Sequence, residues 1–133
     1  SYKFSSKKQI SISKILSSKT IRKDLMWDNP IVHSTVAFRK EDYLKTCGYM
    51  NYKVAHDYGL FIELLRIGEL SFSKKVSVNY YVNNNSLSKR NNKESLKERL
   101  INQWRAIYLF KSESKLLALK ILPILLIRTI FKK

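Results

Sequence analysis

Apolar residues return at helical spacing in several stretches of the chain and alternate in others. Leu60, Phe61, Leu64 and Leu65 follow Asp57 at three- and four-residue intervals, which predicts a helix opening near Asp57 and ending near Gly68. From Asn92 to Phe110 the residues Leu96, Leu100, Trp104, Ile107 and Tyr108 recur in the same rhythm with Lys and Glu between them, predicting an amphipathic helix. A weaker rhythm through Ile10, Ile12, Ile15 and Leu16 predicts a helix from about Ser13 to Met26 behind a start rich in Ser and Lys.

Other stretches read as extended. Ile31 to Phe38 is dominated by β-branched and aromatic residues and follows the turn dipeptide Asn29-Pro30, so it is expected to be a buried strand. Glu41 to Thr46 reads as a short helix stopped by Gly48. From Glu69 to Val82, Leu70, Phe72, Val76, Val78 and Tyr80 share one parity, which predicts two short strands or one bent strand before the polar loop Asn83 to Ser88. Leu116 to Ile127 carries only one charge, Lys120, and is shorter than the roughly twenty residues a spanning helix needs. Pro123 is expected to kink it, and the cations Lys115, Lys120, Arg128, Lys132 and Lys133 suit contact with an anionic bilayer surface, with a core-packing helix as the rival reading.

The chemistry-bearing stretch is Lys53-Val-Ala-His-Asp-Tyr-Gly-Leu60, where one carboxylate stands at a helix mouth. Read by residue type alone, Asp57 is an N-cap and His33 a satisfied core side chain. The order of motifs says more. Asn29-Pro-Ile-Val-His-Ser-Thr-Val-Ala-Phe-Arg-Lys40, then Cys47-Gly-Tyr49, then Ala55-His-Asp-Tyr-Gly-Leu60, then Tyr80 to Ser88 resembles the C-terminal half of a family 2 glycosyltransferase of the GT-A fold, over residues 21 to 90.

The resemblance implies an α/β fold: a partial, acceptor-side half of a GT-A domain over residues 1–90, with a short mixed sheet; the helical spacing and cationic flanks of residues 91–133 read as a C-terminal helical extension suited to a membrane surface. It implies inverting transfer of a sugar from a nucleotide-sugar donor to a glycan or lipid-linked acceptor of a surface polysaccharide or lipopolysaccharide. Asp57 is the expected catalytic base, since a carboxylate within reach of the acceptor hydroxyl takes its proton, worth roughly 10² to 10⁴ in rate. His33, Tyr49, His56, Tyr81, Asn83, Ser86 and Ser88 are the expected substrate-binding residues. Three of these depart from the family pattern. His56 stands where a Glu usually precedes the Asp, and Tyr81 and Asn83 replace an Arg and a His.

No Asp-x-Asp pair occurs, and Asp24 and Asp28 are four residues apart. No cofactor is therefore expected in this chain; the divalent cation, Mn or Mg, is expected only with a donor-binding N-terminal half, and this chain alone is expected to be inactive. A fragment of a longer enzyme is the expectation.

Charge adds one constraint. The net charge is +16, from 26 Lys and Arg against 10 Asp and Glu, a field that attracts polyanions and anionic surfaces. The cations run from Lys3 to Lys133 without gathering on a reading helix, and no zinc-finger, helix-turn-helix or RNP pattern occurs, which argues against a sequence reader of nucleic acid. A basic membrane-surface or nucleic-acid binding module without catalysis is the alternative. The lone Cys47 forms no intrachain disulfide, and a cytoplasmic site at the inner face of a membrane is expected.

Overall fold

The computed structural model describes residues 2–4, 17–72, 78–80 and 92–130. Its elements in chain order are β1 (Tyr2–Phe4), α1 (Ser18–Leu25), a 3-10 turn (His33–Thr35), α2 (Lys40–Leu44), α3 (His56–Ile67), β2 (Val78–Tyr80), α4 (Asn92–Phe110) and α5 (Lys115–Ile130). The expected α/β fold with a mixed sheet is overturned, because helices build the core. The strand pairing among the described residues is one parallel pair, with Tyr2 opposite Val78 and Phe4 opposite Tyr80. Three-residue strands bury too little to organise a domain.

The segment expected to be a buried strand shows why. Val32 and Val36 have extended backbone, but His33 to Thr35 between them turn as a 3-10 helix. Thr35 closes that turn twice, its amide and its hydroxyl both donating to the Val32 carbonyl at 2.9 and 2.6 Å. Such local bonds compete with a ladder, and among the described residues the β-branched run meets no neighbouring strand. His33, Ala37 and Phe38 are exposed. Of the strands expected over Glu69 to Val82, Val78–Tyr80 is a strand, residues 69–72 are irregular, and residues 73–77, 81 and 82 lie outside the described residues. The first helix begins at Ser18 with Ser17 as its cap, the Ser17 Oγ accepting from the Thr20 amide at 3.2 Å.

One hydrophobic cluster joins the helices: Ile21 and Leu25 of α1, Tyr58 and Ile62 of α3, Leu100 and Ile107 of α4, and Ile121 and Leu125 of α5. Burying each such aliphatic side chain contributes about 1.5–3 kcal/mol. Polar bonds fix the helix ends. Arg22 of α1 donates from Nε to the Leu65 carbonyl at 3.0 Å and from Nη2 to the Gly68 carbonyl at 2.9 Å, satisfying carbonyls that the end of α3 leaves open. Ser18 clasps Leu70 through both its amide and its carbonyl, at 2.7 and 3.1 Å.

The amphipathic helix α4 has the expected span, and part of the expected stripe is buried: Leu100 and Ile107 lie in the core and Trp104 packs against it. Leu96 and Tyr108 are exposed, while Ser95, Glu98, Asn102 and Gln103 are buried. Glu98, Asn102 and Gln103 are buried beside Leu100 and Ile107 and bond backbone groups of two other segments. Within α5, Ala118, Ile121 and Leu125 are buried while Leu116, Leu119, Leu126 and Ile127 face outward. No helix among the described residues is long and apolar enough to cross a membrane.

Candidate functional site

The N-terminus of α3 forms one wall of a cleft of about 430 Å³ lined by Ile31, Val32, His33, Ser34 and Asp57. Asp57 is not the N-cap, which is Ala55 and makes no side-chain cap bond; Asp57 lies in the first turn, where its Oδ1 accepts from the Tyr58 amide at 2.8 Å. A carboxylate there takes up an amide that the helix leaves open and answers the positive end of the helix dipole.

Aromatic rings line up beside it. His33 Nε2 and the Tyr49 hydroxyl share a hydrogen bond of 2.8 Å, and their rings meet edge to face at 5.6 Å. His56 packs edge to face against both, at 6.1 Å from His33 and 5.7 Å from Tyr49. The file continues through Tyr43, 5.9 Å from Tyr49, to Phe38, stacked on Tyr43 at 5.9 Å. On the inner side Phe61 of α3 supports His33 at 6.1 Å. Gly48 lets the chain make this approach: its φ is +68°, and a Cβ would lie 2.8 Å from the Tyr43 hydroxyl oxygen.

His33, Tyr49, His56 and Asp57 thus lie together around one helix mouth. Tyr81, Asn83, Ser86 and Ser88 lie outside the described residues.

The frame of the cleft comes from polar residues of α4 whose role sequence reasoning missed. Glu98 is buried, and its carboxylate accepts three consecutive backbone amides of the loop leading into α3: Lys53 at 2.7 Å, Val54 at 2.9 Å and Ala55 at 2.9 Å. Burial works to raise the Glu98 pKa, but these amides, aided by the charge of His56, outweigh it and hold the carboxyl below its ordinary value of 4.5. One turn on, Asn102 Nδ2 donates to the Ala55 carbonyl at 3.1 Å. The same helix also holds the other wall: Gln103 Nε2 donates to the Trp27 carbonyl, and Arg99 pairs with Asp28, just ahead of Ile31. Both chain segments that feed the cleft are therefore tied to α4. Its Glu98, Asn102 and Gln103 fall at four- and five-residue steps, a polar face visible in the sequence only to a reader who expects a helix to bury polar groups.

Behind the mouth, α3 approaches closely at Gly59, where a Cβ would lie 2.4 Å from Met50 Cγ and 3.3 Å from Asn102 Oδ1. Below it the buried Glu63 takes Arg105 at 2.5 Å and Arg66 at 2.9 Å. Tyr58 is buried and donates to the Leu25 carbonyl, tying α3 to α1; burial first, and then the charge of Asp28, push its phenol pKa upward.

The result is an open cleft lined by one carboxylate and one imidazole, with the rings of Tyr49 and His56 packed against that imidazole, on a polar backbone clamp. Among the described residues no group of three His, Cys, Asp or Glu side chains is gathered that could hold a metal ion. No family model, curated protein or solved structure matches the chain.

Proposed function

We propose that this chain supplies the acceptor side of an inverting glycosyl transfer, with Asp57 as the base. The observation that carries the reading is the conjunction of Asp57, His33 and Ser34 on one cleft of about 430 Å³, within the range of about 300–1,000 Å³ common to small-molecule sites. This helix mouth and the motif order of residues 29–60 support the assignment without a sheet.

An acceptor sugar lies in the cleft with its apolar face against the Tyr49 and Tyr43 rim. Its hydroxyl gives its proton to the Asp57 carboxylate as the oxygen attacks the anomeric carbon of the donor. A new C–O bond forms on one face as the bond to the nucleoside diphosphate breaks on the other, and the diphosphate departs with the electron pair. His33, held by Tyr49, and His56 hydrogen-bond the acceptor and fix which hydroxyl is presented. The residues here do not fit the divalent cation that the resemblance implies, so no step runs through it. The donor nucleotide and its cation fall to another part of the enzyme, and this chain alone is inactive. A bilayer-linked glycan reaching the site from the inner membrane face is the acceptor setting that suits the charge.

The test combines the chain with a donor-binding segment and measures transfer from a panel of nucleotide sugars. The expected result is transfer abolished by Asp57→Asn and weakened in acceptor KM by His33→Ala, both variants remaining folded by circular dichroism. Transfer undiminished in folded Asp57→Asn would refute the assignment.

A further inference from the structure

The outward face of α5 exposes several large aliphatic side chains that the cleft does not explain. We propose that this face, together with Trp27, docks on the headgroup layer of an anionic bilayer. A helix that is apolar around its whole circumference is ordinarily covered on every side. Here one side is covered, by Ala118, Ile121 and Leu125 against the core, whereas Leu116, Leu119, Leu126 and Ile127 are 66, 65, 50 and 56 % exposed. Contiguous aliphatic surface of this kind marks an interaction site.

Charge selects the occupant. No Asp or Glu follows Glu113, while Lys115, Lys120 and Arg128 lie along the helix. A second copy would bring +16 against +16, so self-association is opposed by charge. The cations border an aliphatic stripe running through Leu116, Leu119, Pro123 and Ile127, the arrangement that lets acyl chains take the stripe while ammonium and guanidinium groups reach phosphates. At the C-terminal end the Arg128 guanidinium lies 5.6 Å over the ring of Trp27, itself 45 % exposed, and indole rings favour the bilayer interface. The helix has 16 residues, about 24 Å at 1.5 Å per residue, and lies in the interface plane instead of crossing.

Docking does not depend on Asp57. A corollary, which rests on the glycosyl-transfer reading, is that the cleft sits beside the bilayer: Trp27 and Ile31 are four positions apart, a reach of at most about 14 Å.

The experiment is flotation of the full chain with vesicles of phosphatidylcholine alone or mixed with phosphatidylserine, at low and high salt. The expected result is binding to the phosphatidylserine vesicles that falls with salt, a loss of at least about tenfold in Leu119→Glu/Ile127→Glu, and a loss of about fivefold for each of Lys115→Ala and Lys120→Ala. Leu119→Ser/Ile127→Ser serves as an uncharged second variant, and circular dichroism monitors the fold of each. Failure of the wild-type chain to float, equal flotation of folded variants, or sedimentation equilibrium showing a dimer that the Leu119 and Ile127 variants abolish would overturn the proposal. Vesicle binding retained by Asp57→Asn separates this result from the fate of the catalytic assignment.

Discussion

Replacing Glu98 tests whether α4 frames the cleft. Glu98→Ala removes the acceptor for three backbone amides at once. The Lys53 and Val54 amides are partly buried and can turn to water, whereas the Ala55 bond is buried. Leaving a buried amide without a partner costs about 1–3 kcal/mol, and losing two partly solvated charge-assisted bonds adds to it, so the total is about 2–4 kcal/mol. For a chain of this length that lowers the thermal midpoint by about 8–16 °C. Glu98→Gln keeps one acceptor oxygen but turns an NH2 group toward the amides, and is expected to cost roughly half as much. Acid should reveal the mechanism. Since folding lowers the Glu98 pKa from 4.5, its stabilisation is fully present above that value and is lost as pH falls through the lower folded value. Urea unfolding should therefore show a full gap between wild type and Glu98→Gln at neutral pH that closes in acid. A gap under about 0.5 kcal/mol at neutral pH, or one that persists unchanged in acid, would refute the reasoning.

Two further perturbations probe the packing behind the helix mouth. Gly59→Ala drives a methyl into Met50 and should cost about 1–3 kcal/mol by chemical denaturation, with most of it recovered in Gly59→Ala/Met50→Ala; no recovery would mean that the clash lies elsewhere. Arg105→Ala strips one partner from the buried Glu63 but leaves Arg66, so a cost of about 1–3 kcal/mol is expected, and a double-mutant cycle with Glu63→Gln should show a coupling above about 0.5 kcal/mol.

The helices at 56–67 and 92–110 were legible because their apolar positions recur at the period that lets one face meet a core. Motif order groups His33, Tyr49, His56 and Asp57, but the His33–Tyr49 hydrogen bond and the ring contacts of His33, Tyr49 and His56 required the chain to fold back on itself. The strand expected over residues 31–38 failed for a general reason. β-branched composition expresses fitness for a pleated, half-buried surface, and whether a ladder exists is decided by another segment. Here none of the described residues pairs with it, and the Thr35 side chain closes a turn instead.

Local spacing by itself therefore determined where helices form, that Asp57 stands in the opening turn of one, and that the last helix is too short to span a bilayer. That polar residues of 92–110 are buried beside Leu100 and Ile107 was settled only by tertiary structure. Glu98, Asn102 and Gln103 look like solvent-facing residues until the loop at 53–55 and the end of α1 bring unpaired backbone groups against them. A polar side chain is buried when it meets a partner that compensates its lost water, and that partner is distant in sequence.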